Sequence, residues 1–342
     1  MKTIPKRCIG AILIMISTLL VSETVLADSP ADPDTILFNG NKYQIAFYDD
    51  FTYLDKDKWA YCPEQKRQDA GGEWRDSCSV VEDGKLVITC DVAEDGTPVS
   101  GGIRSTGEYE QTYGLYHIRF MLEKADGLWY AFWLLTDQMI DSSVGNGATD
   151  GAELDIMELV PHIGQYGMSV HWDGYGENLK SCFEYKDIND SFYDRYHDLW
   201  YLWNEDGYRL YMDGLDEDSL VFNFPGEEYG DGTCAVPCDL IISAEFGTWG
   251  GEIDRAQLPA HLYVDSVQIY KEAPDKTISV GEKAKFTVRK KAARVEVSDP
   301  SIATAKARKK KVTVTGMSSG TVTVMAYNKK GNVLGSWVVK VE

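Results

Sequence analysis

The 342-residue sequence has little positive charge, little helical periodicity and few long apolar runs. Lys and Arg number 34 against 54 Asp and Glu, for a net charge of −20. Nucleic-acid binding needs clustered Lys and Arg to neutralise phosphates, so this balance argues against that class. After residue 28, apolar stripes at helical spacing are nearly absent. No run beyond that point reaches the ~18 apolar residues of a membrane-spanning helix. Cys234 and Cys238 lack a second Cys or His pair at ligand spacing, which argues against zinc.

The charge is unevenly placed. Residues 1–27 carry +2, residues 28–274 carry −32 and residues 275–342 carry +10. A break of that size marks a candidate domain boundary. Residues 1–27 read as a signal peptide. Lys2, Lys6 and Arg7 form a basic start, residues 9–21 an apolar run too short to span a bilayer comfortably, and Val25-Leu26-Ala27 a small-residue cleavage site. A retained membrane anchor is the alternative. Export makes the chain secreted or surface-associated, and cleavage removes Cys8. The six remaining cysteines permit disulfides, with Cys62/Cys78 and Cys234/Cys238 as near-neighbour candidates; buried thiols are the alternative.

Short alternating runs at 85–90, 114–122, 129–135, 153–160, 208–213, 240–244 and 262–270 read as strands. Asp-Gly pairs at 83–84, 95–96, 206–207 and 213–214 supply turns. The expected fold is all-β, a sandwich or barrel. Residues 28–272 form one large β domain in this reading. A short linker at 272–275 leads to a small β-sandwich, so 273–342 is linker plus second domain, with strands near 284–288, 294–297, 311–315 and 321–327.

The chemistry concentrates in Glu153-Leu154-Asp155-Ile156-Met157-Glu158. Alternation puts Glu153 and Asp155 on one face. Glu158, five positions on, faces the other way unless a β-bulge near Ile156-Met157 absorbs one residue. The Cα atoms of Glu153 and Glu158 are then roughly 13 Å apart, four intervals of ~3.3 Å. Curvature and long side chains must close that gap, which points to a concave sheet. Crowded carboxylates repel, so at least one pKa rises, as acid/base hydrolysis of a glycoside requires. A solvated acidic face or a calcium site are the alternatives. Trp129 and Trp133 share one face of their strand, which can be a sugar-stacking floor or part of the core.

These residues resemble glycoside hydrolase family 16 in its bulged Glu-x-Asp-x-x-Glu form. The likeness covers about residues 35–272. It includes Ser100-Gly-Gly-Ile-Arg-Ser105, Tyr113-Gly114-Leu-Tyr-His-Ile-Arg119, Gly127-Leu-Trp129-Tyr-Ala-Phe-Trp133-Leu-Leu135, Val170-His171-Trp172, Tyr208-Arg-Leu-Tyr211-Met-Asp213-Gly214 and Tyr263-Val-Asp265-Ser-Val-Gln-Ile-Tyr270. The resemblance implies a β-jelly-roll with an open cleft on its concave face. It implies Glu153 as nucleophile, Glu158 as general acid/base and Asp155 between them. It further implies an endo-acting retaining β-glycosidase without a cofactor, with a structural calcium near Asp265 as an option. His171 is a candidate hydrogen-bonding residue near the leaving group, Arg104 a candidate for substrate hydroxyls, and Trp249 a subsite wall. The expected substrate is β-1,3-glucan. Departures at Gly71-Gly72-Glu73-Trp74-Arg75-Asp76 and His171-Trp172-Asp173-Gly174-Tyr175-Gly176 keep endo-β-galactosidase activity open. A non-catalytic carbohydrate-binding sandwich is the alternative of another class.

In the tail, 298–304 and 316–324 resemble the group 2 bacterial immunoglobulin-like domain. That implies an adhesion or spacer module, and its +10 charge suggests contact with an anionic bacterial cell wall. The expected partners are a polysaccharide substrate and that wall, and the chain is expected to be a monomer.

Overall fold

The structure is a computed structural model that describes residues 34–63, 72–105, 107, 109–140, 151–226, 233–331 and 333–342. The leader read at 1–27, Gly71 and Asp150 lie outside the described residues. Among the described residues, no helix is long and apolar enough to cross a membrane.

Two largely antiparallel sheets build the larger part; Glu73–Trp74 and Pro98–Ser100 form a parallel pair at one end of the second. One has seven strands in the order Lys180–Asp187, Gln165–Trp172, Ala152–Val160, Leu128–Leu135, Asp239–Phe246, Gly102–Arg104, Ala60–Tyr61. The other has eleven, with Gly114–Leu122 and the long strand Ala260–Glu272 at its centre. Alternation decides what fills the space between them. Leu128, Tyr130, Phe132 and Leu134 are fully buried against Ile118, Phe120, Leu262 and Val264 from the opposite sheet. On the neighbouring strand Ala152–Val160, Leu154 and Leu159 join this core, so the intervening acids must face outward. Removing one such ring, as in Phe132→Ala, costs about 3–5 kcal/mol.

The Asp83-Gly84 pair closes the hairpin between Ser79–Glu82 and Lys85–Val92, with both residues at positive φ (50° and 71°). That is the backbone a two-residue hairpin turn needs, and it explains the Asp-Gly choice. Strand ends agree with the sequence expectation to within two residues. The strands at Asn41–Asp49, Gln165–Trp172, Lys180–Asp187 and His197–Asn204 complete the sheets.

After Glu272 the chain forms a second, smaller pair of sheets. One has four strands in the order Lys276–Ile278, Val333–Val341, Gly320–Tyr327, Arg294–Val297; the other has three, Lys283–Thr287, Lys311–Gly316, Ala303–Arg308. Ala284, Val312, Val314, Val322, Val324 and Val339 form a separate core between them.

Cys234 and Cys238 are buried thiols rather than a disulfide, which corrects one candidate pairing. Burial pushes the Cys234 thiol up to about 11 and raises that of Cys238 well above its usual value.

Candidate active site

The bulge lies on Ala152–Val160, the third strand of the seven-stranded sheet, next to its central strand Leu128–Leu135. Asp155 pairs with Ser169 and Glu158 with Gly167, so three steps on one strand match two on its neighbour. On the other side Trp133 pairs with Asp155 and Phe132 with Met157, leaving Ile156 as the extra residue. The shift returns Glu158 to the face of Glu153 and Asp155. Leu135, Trp133 and Ala131 lie directly opposite Glu153, Asp155 and Glu158 on the concave face.

Asp155 is the buried member of the three. It accepts a hydrogen bond from Ser169 Oγ at 2.8 Å, and the same hydroxyl lies 3.5 Å from Glu158 Oε2. His171 Nε2 lies 3.3 Å from Asp155 Oδ2, and its Nδ1 lies 2.6 Å from Ser181 Oγ. One donor atom each from Glu153, Asp155 and His171 fall within 4.8 Å of one another. The Tyr175 hydroxyl donates to Glu153 Oε2. Tyr175 follows a tight turn in which Asp173 and Gly174 both have positive φ (67° and 74°), and its amide donates to Met139 O at 2.8 Å.

Electrostatics separate the acids. Burial, then the charges of Asp155, Glu153 and Glu245, holds the Glu158 carboxyl well above the usual carboxylate range. That upward shift favours the protonated form of Glu158, the form a general acid needs. Burial works against a charged His171, but Asp155 and Glu153 outweigh it and raise its pKa. His171 pairs across the strands with Glu153, while Glu158 faces Gly167.

Trp129 and Trp133 lie on the face of the sheet that carries the acids, in a cluster separate from the main sandwich core. They pack with Trp74, Ile241 and Trp249 and are only 8 % and 9 % exposed. Trp133 Nε1 donates to Ser243 Oγ at 3.1 Å. Arg104 Nε is held by Asp239 at 2.9 Å, with Asp137 3.7 Å from its Nη2. Arg104 therefore sits three strands from the acids, with the strands of Trp133 and Ile241 between.

Sequence reasoning missed several cleft residues. Phe183 and Tyr185 come from the edge strand and are 63 % and 39 % exposed. With Trp249 and Trp129 they form a run of rings whose successive centroids lie 5.7, 6.2 and 6.0 Å apart. Gly167 stands between Glu158 and Tyr185, and a Cβ there would meet the Tyr185 ring at 2.2 Å. Glycine lets that ring lie across the strand toward Glu158. Alternation in Phe183-Glu184-Tyr185 and Ser169-Val170-His171 carried the signal for Phe183, Tyr185 and Ser169. Glu245 lies one residue past the strand end read from sequence. Tyr175, on an irregular turn, has no periodic signal.

The family model of the glycosyl hydrolases family 16 matches residues 66–265. The chain belongs to that family. A second model, the pilus formation protein N terminal region, matches residues 272–342. The keratan-sulfate endo-1,4-beta-galactosidase of Sphingobacterium multivorum is 27 % identical over 250 residues, covering 67 % of this chain and 55 % of that protein. The glucan endo-1,3-beta-glucosidase A1 of Niallia circulans is 26 % identical over 286 residues, covering 73 % and 40 %. The chain thus spans about half the length of these two relatives. Among solved structures, the laminarinase catalytic domain from Thermotoga maritima MSB8 superposes with a TM-score of 0.57 at 24 % identity, over 68 % of this chain and 99 % of that one. The endo-beta-1,3-glucanase from Pyrococcus furiosus gives 0.59 at 20 % identity, over 70 % and 99 %. At these identities the structures attest the jelly-roll fold of this family 16 chain.

Proposed function

We propose that this chain is an endo-acting, retaining β-glycosidase in which Glu153 is the nucleophile and Glu158 the general acid/base. The observation that carries this is the bulge that brings Glu158 to the face of Glu153, pairing a carboxyl whose pKa is raised by burial and by its acidic neighbours with a second carboxylate held by Tyr175. Glu153 attacks the anomeric carbon while Glu158 protonates the departing oxygen. Glu158, now ionised, takes a proton from the water that hydrolyses the glycosyl-enzyme, and configuration is retained. Asp155 positions the pair through Ser169, and its charge helps keep Glu158 protonated. The ring run from Phe183 to Trp129 provides stacking surface for successive sugars across the cleft.

No step needs a cofactor. Asp265 faces Arg119 Nε at 3.5 Å, and a carboxylate already beside a guanidinium is a poor fit for a calcium ligand.

β-1,3-Glucan is the first substrate reading, supported by the names of the Niallia circulans relative and the two superposed structures. An endo-β-galactosidase is the second. It is favoured by the Sphingobacterium multivorum relative and by the turn that brings Tyr175 to the nucleophile. We read the leader as an export signal and the C-terminal sandwich as an immunoglobulin-like module that retains a monomeric enzyme at an anionic surface such as a bacterial cell wall. Neutral β-1,3-glucan, galactans and mucin-type glycans, with product sizing, test the function. New reducing ends on internal fragments of one of them are expected. No release from any supports a non-catalytic binding protein instead.

A further inference from the structure

The outer face of the three-stranded C-terminal sheet carries cations and no acid. Lys283 and Lys285 on one edge strand and Lys306 and Arg308 on the other flank Lys311 on the central strand. The remaining outward positions of the three strands are threonines, while the alternate residues enter the core. All five cations are exposed. The ion pairs of this region, Lys42 with Asp275, Arg294 with Glu296 and Lys340 with Glu342, lie away from this face. At one end, Val288 N bonds Lys310 O (2.8 Å) and Ala292 N bonds Lys309 O (2.9 Å). These bonds hold the loop with Arg289, Lys290 and Lys291 against the Lys309-Lys310 turn and extend the basic surface.

Like charges on neighbouring strands destabilise a sheet, so a face built this way calls for an anionic counterpart. Cations two residues apart on one strand stand ~6.8 Å apart, and those on the two edge strands ~9.6 Å. That lattice suits a linear polymer with regularly spaced charges. The face has no aromatic side chain, which removes the platform that single-stranded nucleic acids and neutral sugars stack on. Four of the five cations are Lys, point charges that read the spacing of anions along a polymer rather than the bidentate geometry that Arg reads. The −32 region before it repels the same polymer and confines it to this face.

We propose that this face binds a sulfated polysaccharide and keeps the acidic sandwich near neutral stretches that it cleaves. This rests on reading the C-terminal sandwich as a retention module, and makes that reading specific. The full chain is passed over immobilised dextran sulfate and, as control, dextran. Wild type is retained only on dextran sulfate and is released by salt. K285E/K306E/K311E weakens binding about tenfold or more at low salt, the size that three exposed charge contacts carry. K276E/K329E/K330E makes the same change in net charge on other surfaces and elutes with wild type. Thermal melts confirm folding, and K285Q/K306Q/K311Q decides if the reversed variant does not fold. The proposal fails if wild type is not retained or if both triple variants shift equally. It also fails if duplex DNA or a glycerol-phosphate polymer competes better than dextran sulfate at equal charge. Turnover of a neutral glycan, read in parallel, stays unchanged in every variant. Lost turnover with retention intact counts against the catalytic reading alone, and the reverse against this face alone.

Discussion

Replacing Glu158 with Gln separates catalysis from stability. Gln keeps the shape of the side chain but has no proton to give or take. A positioned general acid contributes ~10²–10⁴ in rate, about 2.7–5.4 kcal/mol of barrier. E158Q should lose that factor in kcat/KM on a polysaccharide, whose leaving alcohol needs protonation. On an aryl glycoside with an acidic phenol the first step should be nearly spared. The stability effect has the opposite sign. Burial and three neighbouring carboxylates raise the native Glu158 pKa, while the unfolded value is about 4.3. Between the two, the native state binds more protons than the unfolded state, so wild-type stability falls as pH rises, by up to about 1.4 kcal/mol per unit. E158Q has no such slope, so it should melt at or above wild type at pH 7 relative to pH 4. Each kcal/mol is worth about 2–4 °C for a domain of this size. Steady-state kinetics on both substrates and melting curves at the two pH values are the assays. A variant with more than about a tenth of wild-type activity on polymer, or one with a lower Tm at pH 7, refutes the reasoning.

D155N removes the neighbouring charge that, after burial, most raises Glu158. The alkaline limb of kcat/KM should therefore move to lower pH, and the His171 pKa, read by NMR, should fall; an unmoved limb counts against the coupling. Y175F deletes a hydrogen bond to the Glu153 carboxylate. It should lower kcat roughly tenfold, as loss of a bond to a charged group implies, with KM and Tm nearly unchanged; a change in KM alone would make Tyr175 a substrate contact. F183A/Y185A strips exposed rings from the edge strand and should raise KM on long chains roughly tenfold, the equivalent of about 1.4 kcal/mol of lost apolar contact. Equal loss on the shortest substrates would place these rings outside the subsites.

The sequence carried the site best where side-chain period and chemistry coincide. Glu153 and Asp155 followed from alternation, and the spacing to Glu158 demanded the extra residue that the pairing of Asp155 with Ser169 and Glu158 with Gly167 displays. Trp129 and Trp133 could be placed on one face, but the sequence could not say which face. The answer depends on the neighbouring strand Asp239–Phe246, which sets Ile241 and Ser243 beside them. That His171 stands opposite Glu153 and reaches Asp155 depends on register between strands, a tertiary property. The Tyr185–Gly167 contact also crosses strands, and Gly167 alone reads as a weak point in a strand rather than as room for a ring. Tyr175 arrives through left-handed turn residues, where no periodicity exists to be read.

The central claim is that Glu153 becomes covalently attached to sugar. The direct measurement is peptide mass spectrometry of the protein after exposure to a 2-deoxy-2-fluoro-β-glycoside of the active substrate, which slows breakdown of a glycosyl-enzyme. The account predicts one added sugar on the peptide carrying Glu153, and none in E153Q. Modification of Glu158 or Asp155 instead, or hydrolysis with inversion and no adduct, would contradict it.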